Sequence, residues 1–129
     1  MRARALQKNR ILVVDDEPDI TLTLKMALQV NGFVVDTYND PILVLSIFKA
    51  NSYDLLLIDI NMPEINGFEL YTKLQQIDQK VKICFITAFD HLYYEEFTRI
   101  FPKINVNCFV RKPVTINALA RVIKAELQP

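Results

Sequence analysis

Short apolar runs rich in β-branched residues recur at 11–14, 33–35, 55–58, 81–86 and 108–110, and the longer stretches between them carry apolar residues at helical spacing. Strands read as continuous apolar runs when both faces of a sheet are covered, as parallel sheets require. The alternation predicts an α/β domain with five parallel strands and five helices in a doubly wound sandwich. A first helix is expected over 19–30, with Ile20, Leu24, Ala27 and Leu28 on one face and Asn31-Gly32 as its stop. The second has Asn39 or Asp40 as N-cap, Pro41 in its first turn, and Ile42, Leu45 and Phe48 at i, i+3, i+6. The third follows Gly67 with Phe68, Tyr71 and Leu74. The fifth follows Pro113, with Thr115 as N-cap and a stripe of Ile116, Leu119, Ile123 and Leu127. The fourth, over 91–101, is irregular because its aromatic residues point to several sides, and Pro102 marks its end.

Right-handed crossovers in such a sheet put the ligand site beyond the carboxyl ends of the strands. Strand one ends in Asp15-Asp16 followed by Glu17, strand three in Asp59, strand four in Thr87 and strand five in Lys112. Four strand ends thus bring three carboxylates, a hydroxyl and an ammonium to one edge. Three aspartates and a lysine sum to a formal charge of −2, which a divalent cation balances. Like charges ~4 Å apart repel by about 4 kcal/mol at an effective dielectric near 20, so a cluster of this kind takes up protons or a cation. Hard oxygen donors without a nearby His or Cys favour Mg²⁺, with Mn²⁺ as a substitute, and Mg²⁺ commonly completes its shell with phosphate oxygens.

With 129 residues, 51% of them apolar, the chain is long enough to bury a single core without disulfides or a structural metal. Fifteen basic residues balance fifteen acidic ones. That balance argues against an electrostatic role on nucleic acid or anionic membrane. Basic residues concentrate at the start, in Arg2, Arg4, Lys8 and Arg10, and residues 1–9 are read as a solvated basic arm. No secretory signal is evident and no apolar run approaches the ~18 residues needed to span a bilayer. Cys84 and Cys108 form no zinc or disulfide framework and are read as small buried hydrophobes in a reducing cytoplasm.

The segments Ile-Leu-Val-Val-Asp-Asp-Glu-Pro (11–18), Asp-Leu-Leu-Leu-Ile-Asp-Ile-Asn-Met-Pro (54–63) with Gly67, Ile-Thr-Ala (86–88) and Phe-Val-Arg-Lys-Pro (109–113) together resemble the receiver domain of two-component response regulators, of the chemotaxis-receiver type. The resemblance covers nearly the whole chain and implies a receiver over 10–127 with a flavodoxin-like strand order 2-1-3-4-5; no output domain is expected, because the sequence stops about two residues after the fifth helix. It makes Asp59 the phosphoryl acceptor from a sensor histidine kinase or histidine phosphotransfer protein. It makes Asp16, Asp59 and the backbone carbonyl of Asn61 the Mg²⁺ ligands, with Asp15 acting through water. Lys112 pairs with the phosphoryl group, Thr87 hydrogen-bonds it, and Phe109 changes rotamer as Thr87 moves. Output to an unknown downstream protein, or to a homodimer, passes through the face built from helix four, strand five and helix five. Asn61 and Phe89 tune phosphoryl lifetime, and a cis Lys112-Pro113 bond is expected.

Taken singly, Asp-Asp after a strand is more often a plain turn, Thr87 a helix cap and Lys112 a solvated cation; their combination reverses those readings. Glu17 is assigned to the first helical turn rather than to the acidic site, His91 to the surface, and Arg111 to solvent or the output face. The 25 positions from Thr87 to Lys112 are a few more than the family's usual spacing. The stretch 89–109 holds six of the thirteen aromatic residues, Phe89, Tyr93, Tyr94, Phe97, Phe101 and Phe109, so some are expected on a partner or dimer surface. The expected function is a phosphorylation-controlled switch rather than a turnover enzyme. Alternatives are a Mg²⁺-dependent phosphatase with an aspartyl intermediate, disfavoured because Asp15 and Asp16 have no residue between them, a flavin-binding module of the same fold, disfavoured by the lack of a phosphate loop after strand one, and the receiver portion of a larger transcriptional regulator. No direct contact with nucleic acid or membrane is expected.

Overall fold

The computed structural model describes residues 9–88, Arg99 and residues 108–128. Five strands, β1 (Arg10–Val14), β2 (Val34–Tyr38), β3 (Leu55–Asp59), β4 (Lys82–Thr87) and β5 (Phe109–Arg111), form one parallel sheet in the order β2-β1-β3-β4-β5. Four helices are described: α1 (Pro18–Val30), α2 (Pro41–Ile47), α3 (Gly67–Ile77) and α4 (Ile116–Leu127). The expected fourth helix over 91–101, the aromatic surface assigned to it, and Phe89 lie outside the described residues; α4 is the helix expected fifth.

Side chains alternate across the sheet with a period of two, and each set has its own core. Leu12, Val14, Leu56, Ile58, Ile83 and Phe85 pack with Val44, Phe68 and Leu74 of α2 and α3. Ile11, Val13, Leu55, Leu57, Cys84, Ile86, Cys108 and Val110 pack with Leu24 and Leu28 of α1 and with Leu119 and Ile123 of α4. The central strand β3 is buried from Leu55 to Asp59, as a continuous apolar run implies. At the edge, β2 is only partly covered, so its last three residues, Asp36, Thr37 and Tyr38, are polar or amphipathic and extend the strand beyond the apolar run at 33–35.

The helix ends follow local chemistry. Asp40 caps α2 by accepting from the backbone N–H groups of Ile42 and Leu43, with Pro41 in the first position. Thr115 Oγ1 accepts from Ala118 N–H at 3.1 Å and starts α4. Asn66 and Glu69 form a reciprocal capping box at the start of α3, a pairing absent from the sequence reading. Two expected apolar positions are corrected. Ile42 is 45% exposed and Ile116 is 50% exposed. The buried residues of α2 are Pro41 and Val44, with Phe48 buried at its C-cap and Leu45 partly covered, because steps of three fall about 60° short of a full turn and drift off the buried face. Ile116 is the first residue of α4, where the Cα–Cβ bond tilts towards the helix N-terminus and away from the core.

The cysteines are buried as expected, but they are not separate thiols: Cys84 and Cys108 are joined as a disulfide across β4 and the start of β5. Their pairing follows from strand order, which brings together residues 24 positions apart.

Candidate phosphoacceptor site

The alternation that builds the cores also aims the site. Residues 11 and 13 of β1 and 55 and 57 of β3 share the α1/α4 side and are paired in register, so Asp15 and Asp59 follow on that same side at adjacent strand ends. Cys108, just before β5, and Val110 within it occupy this side too, which brings Lys112 to it after one more repeat. The lysine Nζ lies 2.9 Å from Asp15 Oδ2 and 3.5 Å from Asp59 Oδ1. One ammonium therefore bridges two carboxylates that are almost wholly buried.

Electrostatics follow from that burial. Asp59 is pushed up from 3.8 to about 6, first by desolvation and then by the negative charge of Asp15; Lys112 and the backbone N–H of Asn61 pull the other way. For Lys112, burial disfavours the ammonium, but Asp15, Asp59 and Glu17 more than offset this, so its pKa ends above the ordinary value and the side chain remains cationic.

The loops are fixed by backbone bonds. Asp15 N–H donates to Tyr38 O, and Asp15 Oδ1 accepts from Glu17 N–H at 3.0 Å. Asn39, read in the sequence as a possible cap for the second helix, instead donates from Nδ2 to Asp15 O at 2.8 Å and to Thr21 Oγ1 at 3.0 Å. Beyond β3, Ile60 N–H donates to Ile86 O, and Gly67 N–H to Ile60 O at 2.8 Å. A Cβ on Gly67 would collide with the backbone oxygen of Asp59 and meet Ile60 Cα at 2.9 Å, so the start of α3 can lie behind Asp59 only because residue 67 has no side chain.

Ligand oxygens of Asp15, Asp16 and Glu17 lie within 4.8 Å of one another. An all-carboxylate set of this kind, half-buried at Asp16, exposed at Glu17 and linked to Asp59 through Asp15, fits a hard divalent cation. Glu17 thus belongs to both features weighed in the sequence: it is the N-cap residue of α1, its carbonyl accepting from Ile20 and Thr21 N–H, and its carboxylate is in the acidic cluster. Asn61 is exposed, and the contact it makes with Asp59 is through its N–H.

Thr87 and Phe109 fall on the opposite alternation, towards α2 and α3. Thr87 is buried at the end of β4, and its carbonyl accepts from Lys112 N–H at 2.8 Å. Phe109 packs against Phe85, ring centroids 5.6 Å apart. Arg111 is exposed opposite Thr87 in the register, and the Lys112-Pro113 bond is cis.

The family model for the response regulator receiver domain matches residues 11–124. The chain belongs to this family. The receiver is 39% identical over 82 residues to the sensor protein EvgS of Escherichia coli (strain K12), covering 64% of this chain and 7% of EvgS. It is 37% identical to the transcriptional regulatory protein PrrA of Mycobacterium tuberculosis over 61% of this chain and 34% of PrrA. The chain therefore spans well under two-thirds of these relatives. Among solved structures, the response regulator protein TrrA from Thermotoga maritima, in complex with Mg²⁺-BeF, is 32% identical with a TM-score of 0.77, covering 93% of this chain and 99% of that one. Receiver domains of this family are signalling switches in two-component systems, and no helix among the described residues is long and apolar enough to cross a membrane.

Proposed function

We propose that this receiver accepts a phosphoryl group on Asp59 from the phosphohistidine of a sensor histidine kinase or histidine phosphotransfer protein. The observation that carries the reading is the bridge from Lys112 to both Asp15 and Asp59 at the carboxyl edge of the sheet. An ionised Asp59 oxygen attacks phosphorus in line, the phosphorus–nitrogen bond of the donor breaks, and the departing imidazole keeps its electron pair and takes up a proton. Lys112 exchanges part of its pairing with Asp59 for the incoming phosphoryl oxygens. Thr87 donates its hydroxyl to another of those oxygens.

Mg²⁺, or Mn²⁺ in its place, would be held by Asp16, Asp59 and the backbone carbonyl of Asn61, with Asp15 through water, and Glu17 joins this donor set on the strength of its place in the carboxylate cluster. When bound, the cation neutralises negative charge on the phosphoryl group. The complex of TrrA with Mg²⁺-BeF supports this choice. Phosphorylation draws Thr87 inward and Phe109 follows by rotamer change, altering the face formed by the expected fourth helix, β5 and α4. That face docks a downstream protein or a second copy of the chain in the cytoplasm. Asn61 and Phe89 set how long the phosphoryl group persists, and a bulky Phe89 slows loss relative to Phe89→Glu. The domain acts as a switch, completing one transfer per signal rather than turning over a substrate.

Acetyl phosphate with Mg²⁺ tests the assignment. Mass spectrometry should find the added phosphoryl group on Asp59 and none in Asp59→Asn; a label on another residue in the parent chain overturns it.

A further inference from the structure

The pair Cys84 and Cys108 plays no part in phosphoryl chemistry, yet it joins the two strands that carry Thr87 and Lys112. Cys84 is three residues before Thr87, and Cys108 four before Lys112. Both are buried on the α1/α4 side, with relative exposures of 0% and 4%, and their Cα atoms are 4.6 Å apart, within the span a disulfide bridges. The backbone fixes the approach, because Phe85 N–H donates to Cys108 O at 2.9 Å. Strand β5 has three residues and pairs only with β4 among the described strands. So short an edge strand opens at little cost, and a covalent tie at its first end changes its behaviour more than one inside β3 would.

We propose that Cys84 and Cys108 form a reversible redox site in which oxidation ties β5, and Lys112 after it, to β4. The oxidant is hydrogen peroxide. As β5 opens, one thiol gives up its proton and its thiolate attacks an oxygen of the peroxide; the O–O bond breaks, a sulfenic acid forms, and the departing hydroxide takes up that proton as water. The second thiol attacks that sulfur and loses its proton as the S–O bond breaks, and the second water leaves. The two sulfurs together give up two electrons, and the peroxide is reduced to two waters. Burial of both sulfurs favours a reagent of this size over exchange with a bulky protein disulfide, and a dithiol reductant reverses the step when β5 opens. The proposal does not require Asp59 to be phosphorylated.

The test compares the whole chain reduced with dithiothreitol against the same chain treated with hydrogen peroxide. Oxidation should lower the mass by about 2 Da, with both thiols protected from alkylation after unfolding, and dithiothreitol should restore them. Amide exchange at residues 109–112 should slow by about tenfold or more in the oxidised form. Cys84→Ala and Cys108→Ala should show neither change; the reduced and oxidised parent provide the comparison even where a variant fails to fold. Gains of about 16 Da or its multiples without the loss of two hydrogens, cross-linked dimers, or equal exchange in the two forms would each overturn the proposal.

Discussion

Replacing Asp59 with asparagine should make the cation-free domain more stable at neutral pH, although it removes the proposed acceptor. The Asp59 side chain is 5% exposed, and its pKa is raised from 3.8 to about 6 by burial and by Asp15. Between these values the native state holds a proton that the unfolded chain has released, so the parent loses stability as pH rises through this window. A shift of about two units at ~1.4 kcal/mol each corresponds to about 3 kcal/mol. Asparagine does not titrate. The advantage of Asp59→Asn over the parent should grow by about 3 kcal/mol from below pH ~4 to above pH ~6 and then level off. Urea unfolding of both proteins in chelator, at several pH values, measures this directly. A stability difference that stays constant across the window refutes the electrostatic reasoning. Added Mg²⁺ should stabilise the parent at neutral pH and affect the variant much less.

Lys112→Ala leaves Asp15 and Asp59 facing each other with no cation between them, and should cost about 3 kcal/mol in chelator at neutral pH, less in acid, by the same unfolding measurement. Gly67→Ala forces a methyl group against the Asp59 and Ile60 backbone; overpacking by about 1–3 kcal/mol should accompany a loss of phosphoryl acceptance, seen as a lower unfolding midpoint and a slower reaction with acetyl phosphate. Asn66→Ala breaks the capping box of α3 and should lower stability by about 1 kcal/mol while leaving the modified residue unchanged by mass spectrometry.

The sheet was legible because β1, β3 and β4 are buried on both faces, and their apolar runs lead straight into Asp15, Asp59 and Thr87. Lys112 was legible for the same reason, through the run at 108–110. Residues whose role depends on geometry across elements were harder to see. Asn39 looks like a helix cap because its neighbours Asp40 and Pro41 begin a helix; only the pairing of β1 with β2 brings its amide to Asp15 O. Glu17 has a helical setting and an acidic one at once, and spacing alone does not reveal that its carboxylate turns towards Asp15 and Asp16. Asn66-x-x-Glu69 was readable as a capping box but was overshadowed by Gly67. The cysteine pair was missed although the expected strand order made β4 and β5 neighbours, because the pairing also depends on the register that sets Cys108 beside Cys84 on one face.

The acids and their counter-ion are mounted differently. Asp15 and Asp59 terminate strands with a hydrogen-bonded neighbour on either side, whereas Lys112 follows a three-residue strand at the rim. The cation thus hangs on the element that opens most readily, while the two acids beneath it form a rigid anionic seat. Opening of the rim would withdraw that cation and leave two acids that repel an incoming anion, so strain at the edge of the sheet acts on the site from a distance.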